Sequence, residues 1–141
     1  MSFKDIPLEI SYISVGEDSF SQILNPLLAC TKVYKRSVGY FSSFALNFIG
    51  DGLLEMARNG GKIYLATSPH LFDEDILAIK NGYIDRDRIE SCFINDVQDT
   101  LLKLSDENAK MLYLLVKEGV VDVKIVIRNN GLYHDKLAVL E

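Results

Sequence analysis

The sequence predicts an α/β fold, and three observations predict it. Stretches with apolar residues at every second position alternate along the chain with stretches at helical spacing, the order expected of strands and helices that share one sheet. The 141 residues are 48% hydrophobic and 25% charged, an ordinary globular mixture that excludes a disordered chain. No repeat, low-complexity tract or linker interrupts the pattern, so residues 1–141 read as one domain, long enough to bury a core without disulfide or metal staples.

Leu8 to Val15 reads as a first strand closed by Gly16. Asp18 or Ser19 then caps a helix with Phe20, Ile23, Leu24, Leu27 and Leu28 on one face. Pro26 inside this pattern implies either a kink or a helix that begins at Asn25 with Pro26 in its first turn. Tyr34 to Phe41 is the next strand. Ser42 and Ser43 are cap candidates for a helix carrying Ala45, Phe48, Ile49, Leu53, Met56 and Ala57 as one stripe, and Asn59-Gly60-Gly61 stops it. Lys62 to Thr67 is a third strand, ending at Ser68-Pro69.

Asp73, Glu74 and Asp75 crowd the start of a short helix, where carboxylates suit the positive end of the macrodipole, and Gly82 is read as its end. Residues 85–104 give only a polar helical signal. Ser105 is read as the cap of a last helix with Ala109, Leu112, Leu115 and Val116 inward and Gly119 as its stop. Val121, Val123, Ile125 and Ile127 alternate with polar residues as a strand. Asn130-Gly131 signals a hairpin into a last strand, Tyr133 to Leu140. The unbroken run Leu137-Ala138-Val139-Leu140 reads as a strand buried on both faces, and its place at the end of the sequence suggests a longer protein cut at this point.

Composition also limits function. The net charge is −5, from 15 basic and 20 acidic residues. Residues 1–70 hold 6 of each sign, and residues 71–141 hold 9 basic and 14 acidic. Bulk electrostatic binding of nucleic acid needs a basic surface, so any phosphate site must be local. No apolar run approaches a membrane span, and the N-terminus lacks the apolar core of a secretion signal. Cys30 and Cys92 fit neither a disulfide framework nor a zinc site, and idle thiols in a reducing cytoplasm are the expectation.

The chemistry-bearing segment is Tyr133-His134-Asp135-Lys136-Leu137-Ala138-Val139-Leu140-Glu141. On a strand, His134 and Lys136 share a face and Asp135 points away. An imidazole beside an ammonium suits a phosphodiester: the imidazole attacks phosphorus and the ammonium holds the non-bridging oxygens. By residue type alone the pair is also what an exposed edge strand carries. Other candidates have simpler readings. His70 lies in a strand-to-helix loop, a common place for ligand contacts in α/β sheets, yet a solvated histidine is the simpler account. Tyr40 and Phe41 read first as packing, Ser42 and Ser43 first as caps, and Asp73-Glu74-Asp75 as a helix start and not a metal site. Lys32, Lys35 and Arg36 read as a solvated basic patch.

His134 and Lys136, with Glu141 where an aspartate is expected, resemble the His-x-Lys…Asp signature of the phospholipase D superfamily. Ser37-Val38-Gly39-Tyr40-Phe41-Ser42-Ser43, followed by a helix and by Gly60-Gly61-Lys62-Ile63-Tyr64-Leu65-Ala66-Thr67-Ser68-Pro69, narrows the resemblance. It looks like the phospholipase D-like domain at the N-terminus of bacterial DEAD/DEAH-type helicases and restriction-associated proteins. The resemblance covers nearly the whole chain. It implies a mixed sheet flanked by helices on both faces and metal-free, cofactor-free chemistry through a phosphohistidine. His134 would then be nucleophile or general acid, Lys136 the phosphate ligand and Glu141 the group that orients a histidine. Tyr40, Ser42 and Ser43 would line the substrate site. One motif is half of such an active site; a second His-x-Lys, from another copy in a homodimer or from the rest of a longer chain, completes it. The implied substrate is nucleic acid, handled by a larger DNA-processing protein in the cytoplasm. A non-catalytic DNA- or protein-binding module on the same fold is the alternative. A phospholipid hydrolase ranks below both, because no basic amphipathic helix marks a membrane-binding surface.

Overall fold

A computed structural model of the chain describes residues 2–8, 17–87, 101–131 and 133–141. The first expected strand, 8–15, and Cys92 lie largely or wholly outside these residues. After a short 3₁₀ turn at Phe3–Asp5 the elements are α1 (Glu17–Cys30), β1 (Val33–Val38), a 3₁₀ turn (Ser43–Ala45), α2 (Leu46–Arg58), β2 (Lys62–Thr67), α3 (Asp73–Asp87), α4 (Glu107–Lys117), β3 (Val121–Ile125) and β4 (Lys136–Leu140). The chain is therefore α/β, with a four-stranded mixed sheet in the order β3-β2-β1-β4. β1, β2 and β3 are parallel, and β4 runs antiparallel to β1.

Register sorts the side chains into two faces. Val121, Ile63, Tyr34 and Leu140 lie in one row across the sheet and point to the same side. This side packs on Leu28 of α1, Leu46, Leu53 and Met56 of α2, Ala78 of α3 and Leu112, Tyr113 and Val116 of α4, forming one core. On the opposite side Tyr64, Leu137 and Val139 are 43%, 61% and 38% exposed. Among the described residues, helices cover one face of the sheet.

Several expected boundaries move, each for a local reason. α1 runs through Pro26, so the helix does not begin at Asn25. Asn25 holds α1 against α2: its side-chain amide donates to the Phe48 carbonyl (3.2 Å) and accepts from the Gly52 N–H (3.0 Å). Gly52 permits this, since a Cβ there would lie 2.8 Å from the Asn25 carbonyl oxygen. Gly82 does not end α3; it is buried mid-helix, where a Cβ would stand 2.8 Å from the Val116 Cβ. The glycine marks a close crossing of two helices and not a stop. The cap of α4 is Asp106, whose carboxylate accepts from the Asn108 and Ala109 N–H groups. Ser105 instead donates to Glu74.

The largest departure concerns the last two strands. The chain bends at 129–131, with Gly131 at φ +84°, but no hairpin follows. β3 and β4 occupy opposite edges of the sheet, so residues 126–135 cross over the ends of β2 and β1. A turn propensity is local and does not choose the partner strand. β4 is accordingly an edge strand with exposed Leu137 and Val139, not a strand buried on both faces. The β3 edge is shielded by α3: the Tyr83 hydroxyl accepts from the Val123 N–H (2.7 Å) and donates to the Val123 carbonyl (3.3 Å).

Candidate functional site

The crossover builds the candidate site. β3 ends, and β4 begins, at the edge where the parallel strands β1 and β2 also end, the side on which open α/β sheets place ligands. The segment that joins β3 to β4 passes over β1 at Gly39. The Gly39 N–H donates to the Asp135 carbonyl at 3.1 Å. A Cβ on Gly39 would lie 2.7 Å from the Tyr133 carbonyl oxygen, 2.8 Å from the His134 Cα and 3.0 Å from its ring. Glycine is thus the residue that lets His134 sit on the end of β1.

His134 and Lys136 are both exposed, and the Lys136 backbone pairs with Val38. Lys136 belongs to the same sheet face as Val38 and Arg36, and Arg36 pairs with Ala138, one alternation along β4. Two cations, from adjacent strands, therefore stand on one face beside an imidazole. Arg36 is half-buried and lines a largely apolar cavity of about 240 Å³ together with Tyr40 and Ser42. The expected basic patch is split. Lys35 points to the other face and pairs with Glu141, and Lys32 donates to the Asn59 carbonyl at the C-terminal end of α2 (2.7 Å).

Tyr40 joins the site through its ring. Its centroid is 5.9 Å from that of His134, edge to face, and 6.2 Å from that of His70, tilted. The phenol is 56% exposed. His70 follows β2 in a tight turn: its N–H donates to the Ser68 hydroxyl (3.3 Å) and the Leu71 N–H donates to the Pro69 carbonyl (3.1 Å). His70 and Tyr133 line a second cavity of about 180 Å³ with Arg128. The Arg128 guanidinium lies 5.5 Å over the Tyr133 ring and 3.7 Å from the Asp135 carboxylate. Tyr133 in turn shares a hydrogen bond with Ser37. These contacts pin the crossover on both sides of His134.

Three expected site residues do other work. Glu141 is not brought to His134: its carboxylate pairs with Lys35, and its backbone accepts from Lys32 and Val33 at the opposite end of β4. Seven residue steps of nearly extended chain lead from His134 to it, a span of about 23 Å, so it does not orient this imidazole within one chain. The Ser42 hydroxyl accepts from the Phe44 N–H (3.2 Å), a capping role, although Ser42 also lines the apolar cavity. Ser43 is buried, and its N–H donates to the Asp75 carboxylate at 3.0 Å. Asp75 therefore ties the start of α3 to the turn before α2. Glu74 accepts from the Asp106 N–H at 3.0 Å, so two of the three clustered acids are structural partners. Among the described residues no group of three or more His, Cys, Asp or Glu side chains is placed to hold a metal ion.

Two residues gain weight that the sequence alone did not give them. By residue type Arg36 reads as part of a solvated patch, although its even spacing from Tyr34 puts it on the face opposite Lys35. His70 reads by sequence as a solvated loop histidine. Its signal was position: it follows a parallel strand at the sheet edge where His134 arrives.

Comparison with known proteins finds no matching family model, no matching curated protein and no matching solved structure. Among the described residues no helix is long and apolar enough to cross a membrane.

Proposed function

We propose that this chain is a phospholipase D-like phosphodiesterase module, nuclease-related, that works within a larger DNA-processing protein of the helicase or restriction-associated kind. The observation that carries the reading is the pair itself. His134, two residues before β4, and Lys136 at its start are both exposed, with Arg36 on the neighbouring strand and Tyr40 against the imidazole. In this reading His134 attacks phosphorus, or protonates the leaving oxygen, and Lys136 neutralises the non-bridging oxygens. Glycine at position 39 supports it, since the backbone contact holds the imidazole at the rim of the sheet and leaves it open to a substrate. The resemblance further implies a second imidazole, supplied by a second His-x-Lys from another copy or another segment, and a second layer of helices over the open face.

The test is turnover of bis(p-nitrophenyl) phosphate and of DNA by the chain and by the longest natural form of it. Hydrolysis that falls at least ~100-fold in His134→Ala and in Lys136→Ala is expected for a nucleophile and its phosphate ligand. Hydrolysis unchanged in His134→Ala overturns the catalytic role.

The open sheet face favours a second reading, a non-catalytic binding module. Tyr64, Leu137 and Val139 are exposed there beside Lys124, and they line a shallow cavity of about 350 Å³. Saturable, salt-sensitive DNA binding without turnover would select this reading over the first.

A further inference from the structure

We infer that His70 is the second proton-transferring group of the His134 site, so that one chain carries both imidazoles of a phosphodiester reaction. The inference rests on the phosphodiesterase reading above and replaces its need for a second His-x-Lys motif. Its basis is geometric. His70 and His134 come from sequence positions far apart, yet both rings pack against the one exposed phenol of Tyr40, at 6.2 and 5.9 Å between centroids. The His70 loop and the crossover that carries His134 also share a cavity, lined in common by His70, Arg128 and Tyr133. Both histidines are exposed, so a substrate reaches either without displacing the core. Tyr40 spaces the two rings and offers a hydroxyl beside them.

The division of labour follows from the cations. Lys136 opens β4 two residues after His134, and its face of the sheet also carries Arg36 of the neighbouring strand. The phosphate therefore binds on the His134 side, and His134 is the nucleophile. Its nitrogen lone pair forms the P–N bond as the P–O bond to the leaving group breaks. Protonated His70 gives its proton to the departing alkoxide. In the second half a water oxygen bonds to phosphorus and loses a proton to the now neutral His70. The P–N bond breaks and its electron pair returns to His134. The sum is one diester and one water converted to a monoester and an alcohol, with both histidines restored.

The test compares leaving groups. A short single-stranded oligonucleotide expels an alkoxide that needs the proton; bis(p-nitrophenyl) phosphate expels a stable phenolate that does not. His70→Ala is expected to slow oligonucleotide cleavage by ~100-fold or more. With the activated diester it keeps the first turnover but stalls afterwards, with the p-nitrophenyl phosphoryl group trapped on His134 and detected by intact mass. His70→Gln behaves the same way, and His134→Ala loses both substrates. A His70→Ala protein as fast as wild type on the oligonucleotide overturns this inference, and the loss in His134→Ala then still upholds the phosphodiesterase reading. A readout without turnover is the titration of both histidine ring resonances with vanadate. Shifts at His70 and His134 along one saturation curve are expected, and a shift at His134 alone overturns the inference. A wild-type chain that cleaves neither substrate, with neither resonance moved by vanadate, overturns both readings together.

Discussion

Gly39 and His134 approach so closely that no side chain fits between them: a Cβ on residue 39 would lie 2.8 Å from the His134 Cα and 2.7 Å from the preceding carbonyl oxygen. Both neighbours are backbone, so neither can rotate away. Gly39→Ala therefore has to push the crossover off the end of β1, breaking the Gly39 to Asp135 hydrogen bond. A stability loss of about 1–3 kcal/mol is expected from the overlap, seen as a lower urea midpoint. The variant's functional signature is separate from its stability. The His134 ring resonance loses its ring-current shift from Tyr40, while core resonances such as those of Leu112 stay in place. A His134 environment unchanged in Gly39→Ala would mean that the glycine has no part in placing the imidazole.

Much of this site was legible one element at a time. The period of two from Val121 to Ile125 and the strand at Lys62–Thr67 follow from side-chain alternation, which is a local property. What was not legible was pairing. Asn130-Gly131 looks the same whether the chain folds back on β3 or crosses two strands to reach β1. That choice decides whether His134 meets Gly39 and Tyr40. Gly82 shows the same limit, because a glycine that ends a helix and one that admits a neighbouring helix are identical in sequence. The run Leu137–Leu140 signals apolar surroundings without saying which surface provides them.

Thr67 ends β2 fully buried, and its hydroxyl has no hydrogen-bond partner among the described residues. It faces the same side as Ile63 and Leu65, in register with Val38 and Ile125. An unpaired buried hydroxyl costs stability, whereas a methyl of similar size does not. Thr67→Val is expected to raise stability by about 1 kcal/mol, read as a higher urea midpoint with an unchanged slope. A drop of similar size would show that the hydroxyl is satisfied in solution and belongs to the site's polar network.

Arg86 fastens α3 to two other elements. Its Nε donates to the Val116 carbonyl and one terminal nitrogen to the Val121 carbonyl, each at 2.6 Å, while the other pairs with Asp122 at 2.5 Å. The guanidinium also lies 4.7 Å from the Tyr83 ring centre. Arg86→Met keeps much of the aliphatic stem but leaves both carbonyls without this donor. Because the side chains are partly solvated, the expected loss is limited to about 2 kcal/mol. Arg86→Lys should recover less than half of it, since one ammonium cannot span three divergent acceptors. Denaturant melts of the two variants decide the matter, and full recovery by lysine would show that charge and not the planar fork is what holds α3.

Tyr34 gives the fold a dependence on alkaline pH. It is buried in the middle of the core, and burial pushes its phenol above the ordinary value of 10.0, with the nearby Arg36 charge pulling weakly the other way. The folded state therefore keeps a proton that the unfolded chain gives up. Below the unfolded value both states are protonated and Tyr34 adds no slope. Above it the unfolded state binds fewer protons than the folded one, so stability falls as pH rises until the folded phenol itself ionises. The difference between two proteins that differ only in this phenol is the informative quantity. Tyr34→Phe, which keeps the ring and removes the titrating group, is expected to lose stability less steeply than wild type from about pH 9 to about pH 11. Parallel slopes in urea melts across that range would show that the phenol is not shifted upward. A steeper fall in Arg36→Met than in wild type would confirm the opposing charge, because removing the cation raises the folded phenol further.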